Sequence, residues 1–509
     1  MRLLSPTDKD FPVILSQNAA ENIDFSFLGK IGQQSYLSKF LTSNPETLRF
    51  RQTLFRDIME NEKLIDFFDE LDKKIYDIIT FEQMGRQMRK DSENGDLLCS
   101  FRELKFFMDC IDLITAAKNE YSHITSPSLL AFFDRAKDIS SQTWYMNTKS
   151  YINKLDESLR EIRSITIGIN LDAQLTPLEA GIVSINKKTF STNSVFDKLF
   201  SKQEKDPNFI CISPIASREL KNSGVSMQIL NTKLYSAINS IVSGALKKIK
   251  NVLYDETHRA ANFLIYLHDE IKFITCATTY ILSIKAKGLP LCIPEISPKY
   301  EIKSLYNPNI CSYIKSANIV KNDATFDNDG KIFILTGANS GGKSVYLRAI
   351  GAAQVLFQLG LPIPAKSAKM NICTEIFTQF GSKVTDKIGG RFENECKEVL
   401  KIYKEVTENS LVLFDELFAS TNAYEGAIIA AKVLKRFAVV GAKCLYTTHM
   451  HDLAEKIDEI NSIPNIKSHA DTLCAEIHDG VCTYKILRKR ESAGSYAEEI
   501  FKKYGFEEI

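Results

Sequence analysis

Gly337-Ala338-Asn339-Ser340-Gly341-Gly342-Lys343-Ser344 has the spacing G-x-x-x-x-G-K-[ST]. Glycines so placed let consecutive backbone N–H groups wrap phosphate oxygens, and a helix opening behind them adds a favourable dipole. Lys343 is then positioned for the outer phosphates and Ser344 for Mg2+. The expected phosphate-contacting set is Gly337, Ala338, Asn339, Ser340, Gly341, Gly342, Lys343, Ser344 and Val345. The bland alternative is an ordinary glycine-rich turn between strand and helix.

A second group lies downstream. Leu411-Val412-Leu413-Phe414-Asp415-Glu416 reads as a buried strand with two acids at its C-terminal end, where open α/β sheets gather ligands. Asp415 is expected to hold Mg2+, directly or through water, and Glu416 to act as general base on an attacking water. An acidic strand end would explain the same residues more simply. Thr448-His449 closes the next apolar run, AKCLYTTH. An imidazole there can sense the outer phosphate and orient the water, because it both donates and accepts hydrogen bonds. His451 competes for the role. The expected catalytic set is Lys343, Glu416 and His449, with Ser344 and Asp415 on the metal.

The elements that must carry these groups alternate. KIFILTG, SLVLFDE and AKCLYTTH are short apolar strands; SVYLRAIGAAQVLFQLG, FENECKEVLKIYKEV and AYEGAIIAAKVLKRFA are helical. Such alternation indicates a mostly parallel sheet buried between helices. AEIHDGVCTYKILRK reads as a hairpin around Asp479-Gly480.

The front of the chain is mainly helical. Asn44-Pro45 marks a helix start, and Leu54, Ile58, Ile65, Phe68, Leu71, Ile75 and Ile78 follow at helical spacing. A second stripe holds Leu97, Phe101, Leu104, Met108, Ile111 and Ile114, and Ser126-Pro127 opens a third helical stretch toward Arg163. Residues 164–212 read as a small mixed insertion: SITIGINL and EAGIVSINKKTF alternate as paired strands, with Gly168 marking a bulge. Ser226 to Ile284 is either two packed helices or one straight helix of roughly 85–90 Å at 1.5 Å per residue. GLPLCIPEISP reads as a linker. The expected division is a helical region over 1–295, with 164–212 inserted, and an α/β P-loop domain over 296–509.

The 509 residues carry a net charge of +1, 44% hydrophobic and 25% charged residues. That is ordinary globular composition, and the overall charge favours neither nucleic acid nor membrane. Eleven cysteines, none in a Cys-x-x-Cys pair, point to reduced thiols in a cytoplasmic protein rather than a zinc site or disulfide framework. The N-terminal residues lack a signal peptide's apolar core, and no apolar run is long enough to span a membrane.

Taken together, the C-terminal pieces resemble the MutS mismatch-repair ATPases. TGANSGGKSVYLRAIG resembles T-G-P-N-M-G-G-K-S-T-Y-x-R, and SLVLFDELFASTNAYEG resembles S-L-V-L-x-D-E-[IL]-x-x-G-T-S-T-x-[DE]-G. LGLPIPAKSAKMNICTEIFTQFGSKVTD, Leu359 to Asp386, is similar to the family stretch that carries P-A, I-F-T and then G-A-x-D, and TTH and GSYAEEIFKKYG are similar to further family segments. The likeness is dense over about 300–509; the front matches only in texture, as a core-and-lever region.

The resemblance implies an ABC-like ATPase using ATP and Mg2+. It also implies a homodimer whose composite sites face each P-loop with the other subunit's signature segment, here Ile388 to Val399. Where the family has S-T-F-x-x-E-[ML], this chain has Gly390-Arg391-Phe392-Glu393-Asn394-Glu395-Cys396. The hydroxyl is missing, and Arg391 is either its substitute in trans or a solvated helix-cap residue. Ser420, Thr421 and Asn422 occupy the family's interface loop. Phe101-Arg102-Glu103 fits the mismatch wedge Phe-x-Glu but sits in a helical stripe, and no separate mismatch domain or Smr tail is expected. Lys187, Lys188, Lys198, Lys202 and Lys205 of the clamp-like insertion are either DNA contacts or a solvated surface diluted by Glu179, Asp197, Glu204 and Asp206. The leading expectation is an ATP-driven clamp on double-stranded or branched DNA without specific mismatch reading. The alternatives are the same machine on RNA or ribosomes, or a protein–protein switch.

Overall fold

A computed structural model describes residues 2–6, 11–88, 97–121, 123–175, 177–189, 250–381, 390–478 and 481–489. It divides into two compact units: 1–68 with 123–131 and 270–509, and 69–122 with 132–269. This differs from the expected division at residue 295, because the N-terminal residues cluster with the α/β part. No helix among the described residues is long and apolar enough to cross a membrane.

The first unit is built on a seven-stranded sheet. In spatial order its strands are Ile14–Leu15, Glu375–Phe380, Ser410–Asp415, Lys443–Thr447, Ile332–Thr336, Ala470–His478 and Val481–Leu487. All pairings are parallel except the last. The expected parallel sheet and terminal hairpin are thus present, with Asp479 and Gly480 outside the described residues. Side chains alternate between faces along each strand. Val412 and Phe414 join Ile332, Ile334, Cys444 and Tyr446 in a core under helices Arg391–Glu405 and Ala423–Val440. Leu413 points the other way, toward Gly351 of helix Lys343–Leu359. A Cβ on Gly351 would lie 2.8 Å from both Leu413 and Ile23, so glycine is what lets helix, strand and N-terminal segment meet.

Several bonds tie the N-terminal residues to this unit. Asn44 caps helix Pro45–Glu60 by accepting from the Glu46 N–H at 2.9 Å, as its residue type predicts. Arg51 of that helix is buried and donates to the carbonyls of Leu4, Phe40 and Leu359. The last of these belongs to the C-terminal end of helix Lys343–Leu359, where a cation offsets the orphan carbonyls. Gln358 on the same helix donates to Thr42 and Cys373 carbonyls and accepts from the Cys373 N–H.

A second sheet was not expected. Its four strands run in the order Glu295–Ile296, Ser367–Met370, Tyr300–Leu305 and Asn322–Phe326. The proline-rich segment before it is tethered rather than a linker. Cys292 exchanges backbone bonds with Ile363, Pro290 O accepts from Tyr306 OH at 2.8 Å, and Pro294 O accepts from Gln52 Nε2 at 2.9 Å. Proline has no N–H to give, but its carbonyl still accepts.

The second unit is mainly helical. In helix Leu97–Glu120, Phe101, Leu104, Met108, Ile111 and Ile114 are buried, as their spacing predicts. It packs on helix Thr143–Arg160 through a Tyr145 OH bond to Met108 O and a Lys105–Asp156 ion pair of 2.7 Å. The third helical stretch is two helices, Pro127–Ser141 and Thr143–Arg160. Ser140 and Ser141 hydroxyls bond back to Lys137 and Asp138 carbonyls just before the break, competing with the helix ladder. Strands Ser164–Leu171 and Pro177–Asn186 form the expected hairpin. Its register slips between Thr166 and Ile167 and again between Asn170 and Leu171, while Gly168 pairs with Gly181. Lys250–Lys285 is a single helix; residues 190–249, and with them Lys198, Lys202 and Lys205, lie outside the described residues.

Candidate functional site

The loop 337–342 leaves strand Ile332–Thr336 and runs into helix Lys343–Leu359. Gly342 caps the helix in the left-handed region, φ 89°, which favours glycine. A Cβ on Gly337 would fall 2.9 Å, and one on Gly341 3.0 Å, from the Ala475 side chain. The cradle therefore depends on Ala475 of the neighbouring strand as well as on its own glycines. Lys343 is buried, and its Nζ donates to Gly337 O at 2.7 Å and Ala338 O at 3.0 Å. Asn339, Ser340 and Val345 are exposed around it.

The two acids stand beside the loop because strands Ser410–Asp415, Lys443–Thr447 and Ile332–Thr336 are adjacent and parallel. Ser344 Oγ donates to Asp415 Oδ1 at 2.9 Å, and Thr447 Oγ1 donates to the same oxygen. A hydroxyl and a carboxylate at this spot form the hard oxygen set that suits Mg2+. Glu416 Oε1 is 2.6 Å from His449 Nε2, and His449 Nδ1 is 3.4 Å from Lys343 Nζ. An ammonium can only donate, so Nδ1 is assigned as acceptor and Nε2–H as the donor to Glu416. His449, not His451, thus joins the acids; His451 starts the next short helix.

Glu416 and Phe418 both have positive φ, 52° and 63°, a conformation that costs about 1–3 kcal/mol per non-glycine residue. Three bonds hold this segment. The Glu416 N–H donates to Thr447 O at 3.0 Å, Tyr446 OH to Leu417 O at 2.7 Å, and the Phe418 N–H to Glu395 Oε2 at 3.1 Å. A hydrogen bond to a charged group contributes about 1.5–3 kcal/mol, enough to offset one strained residue.

A cavity of about 520 Å3 opens beside the loop, lined by Ala338 to Tyr346 and Glu416 on one side. Its other wall is Tyr306, Ile310, Tyr313, Ile314, Val320 and Tyr484. Sequence reasoning missed this wall. Tyr306 to Val320 come from the irregular stretch between strands Tyr300–Leu305 and Asn322–Phe326, around the short turns Pro308–Ser312 and Ser316–Asn318, which has no periodicity to read, and Tyr484 comes from the last strand of the first sheet. Thr447 and Ala475 were missed for a different reason: their types are unremarkable inside a strand.

Comparison with known proteins then adds to the geometry. Residues 333–508 match the family model for MutS domain V, and residues 43–287 match that for the MutS2 N-terminal domain. The chain is MutS-like. It is 32% identical over 486 residues to a DNA mismatch repair protein MutS of Clostridium kluyveri, covering 89% of this chain and 53% of the relative. Against a Caldicellulosiruptor saccharolyticus protein of the same description it is 36% identical over 180 residues, 34% of this chain and 21% of the relative. An Endonuclease MutS2 of Streptococcus thermophilus is 32% identical over 277 residues, 52% of this chain and 34% of that one. The chain thus spans about half or less of the length of these relatives.

The expected signature segment, Ile388 to Val399, is described from Gly390 onward; residues 382–389 and the closing segment 490–509 are not among the described residues. Arg391 is half-exposed and donates through Nε to its own Glu395 at 3.1 Å, an arrangement of a paired helix-start cation. Phe101 is fully buried in its helix, as its place in the helical stripe predicts. Lys187 is exposed and pairs with Glu161 at 2.6 Å; Lys188 is exposed as well.

Proposed function

We propose that this MutS-like chain binds ATP with Mg2+ and hydrolyses it, and that two copies use the cycle to clamp double-stranded or branched DNA. The observation that carries the reading is the convergence of the glycine cradle, Lys343, the Ser344–Asp415 pair and the Glu416–His449 pair on the mouth of one cavity. Backbone N–H groups of the loop would take the phosphates, and Lys343 would turn from the Gly337 and Ala338 carbonyls to them. Ser344 and Asp415 would hold Mg2+, which supplies charge neutralisation at the phosphates. Glu416 is placed to accept a proton from water, and His449, already on its carboxylate, keeps that carboxylate oriented. The mixed apolar and aromatic wall of Tyr306, Tyr313 and Val320 suits a nucleobase.

Tyr313 is 72% exposed at the mouth of this wall. Stacking of a base on an aromatic ring is worth about 1–3 kcal/mol. Tyr313→Ala should therefore weaken ATP binding by about fivefold to a hundredfold while tripolyphosphate affinity stays unchanged. Calorimetric titration of both ligands checks it; equal losses would mean that Tyr313 does not meet the base.

The DNA part rests on the MutS likeness, since relatives carry "DNA mismatch repair" in their description. Nucleotide occupancy can change a clamp only through different affinity for its open and closed states. Fluorescence anisotropy with labelled duplex, four-way junction and single-stranded RNA, across a salt series and with or without ATP and Mg2+, tests it. Tighter junction or duplex binding in ATP, with a steep salt slope, is expected. Preference for RNA would favour an RNA or ribosome role; no salt-dependent binding of any of the three would favour a protein switch.

A further inference from the structure

We infer that Glu395 is a positioning residue for Glu416, linking the helix that starts at Arg391 to the candidate general base. This inference rests on the hydrolytic reading above. Glu395 lies on the second turn of helix Arg391–Glu405, and its carboxylate is only 1% exposed. Oε1 accepts from Arg391 Nε at 3.1 Å; Oε2 accepts from the Phe418 N–H and from Ser420 Oγ, each at 3.1 Å. One buried carboxylate thus gathers a cation from its own helix and two donors from the loop that follows Glu416.

What sets this contact apart is where it comes from. Two other backbone bonds on 416–418 reach strand Lys443–Thr447, through Thr447 O and Tyr446 OH. Those fix the loop to the sheet. Glu395 fixes it to a separate element, with the Phe392 ring 5.9 Å from the Phe418 ring alongside. Glu416 stands two residues before Phe418, and both have left-handed backbones. A left-handed backbone is costly for a non-glycine residue, so releasing the Phe418 N–H favours relaxation of this segment and lets the Glu416 carboxylate swing away from His449. Any displacement of helix Arg391–Glu405 is passed to the base through this carboxylate. Arg391, on the same carboxylate, acts within its own chain as its cationic partner.

The test uses the full chain with Glu395→Gln, Glu395→Ala and the milder Ser420→Ala, which removes one exposed hydroxyl and spares the core. An amide in place of the carboxylate puts an NH2 against one of the three donors. Glu395→Gln should lower kcat for ATP by between about tenfold and a hundredfold with KM for ATP unchanged. Amide exchange should speed up at 416–420 and not in strand Lys443–Thr447. Ser420→Ala should move both readouts the same way by less. A kcat unchanged in Glu395→Gln overturns the inference. So does a parallel fall of kcat, ATP affinity and melting temperature, which is what a merely structural carboxylate gives. Should the parent chain turn over no ATP, the hydrolytic reading fails, and the exchange arm alone decides for Glu395: faster exchange confined to 416–420 upholds the link, and uniform or unchanged exchange removes it.

Discussion

ATP turnover by Glu416→Gln is expected to fall by about 10²–10⁴-fold, with ATP affinity staying near the parental value. The reasoning is local. Glu416 contacts His449 and lines the cavity mouth, but it makes no bond to the glycine loop or to Asp415. Glutamine keeps its shape and can still accept the His449 bond, so the loop geometry is retained. What is lost is the basic carboxylate, a group that matters in the transition state and not in the bound ground state. The variant should therefore trap an ATP-bound form. Single-turnover kinetics together with a nucleotide-binding titration separate the two effects. A variant that hydrolyses ATP at the parental rate would move the base elsewhere, with His449 the next group to replace.

Lys343→Ala gives the opposite signature. Its ammonium is buried, and in the structure it donates to two loop carbonyls. Those bonds hold a cation where the triphosphate is proposed to arrive. A hydrogen bond to a charged group contributes about 1.5–3 kcal/mol, so ATP affinity should fall by roughly ten- to a hundredfold. Calorimetric titration of ATP and ADP measures it, and the loss should be larger for ATP, which carries the outermost phosphate. An equal loss for both would place Lys343 on inner phosphates only. The two variants differ in kind: one spares binding and stops turnover, the other weakens binding first. Finding both patterns would tie the cradle and the acids to a single reaction.

The legible part of this molecule is the part written in local patterns. The glycine loop, the acid pair and the imidazole sit at strand ends, and the strands that present them are apolar runs of five or six residues. Parallel pairing of neighbouring strands then delivers Lys343, Asp415 and His449 to one place with no further information. The stripes over 54–78 and 101–114 were readable for the same reason. What could not be read is set by distant partners. Ile14–Leu15 and Glu295–Ile296 are strands of two residues, too short to show alternation. Their existence depends on pairing with residues 375–376 and 369–370. The aromatic wall of the cavity likewise comes mostly from the turns between strands Tyr300–Leu305 and Asn322–Phe326, whose side chains meet Tyr484 only once both sheets have formed. Glu395 was visible only as part of a departing signature; its bonds to Phe418 and Ser420 are a tertiary fact.

That short strand at Ile14–Leu15 has a practical consequence. The Ile14 N–H donates to Thr374 O and the Ser16 N–H to Ile376 O, and Ser16 Oγ and Asn22 Nδ2 both reach Thr378 Oγ1. Together they sheathe the rim of strand Glu375–Phe380, which would otherwise present a ladder of free amides to any passing chain. Proteolytic clipping or a truncated clone that starts after Asn22 would leave Lys343, Asp415, Glu416 and His449 intact and still yield a sample that precipitates on storage. Purification tags and cleavage sites are better kept well away from that end.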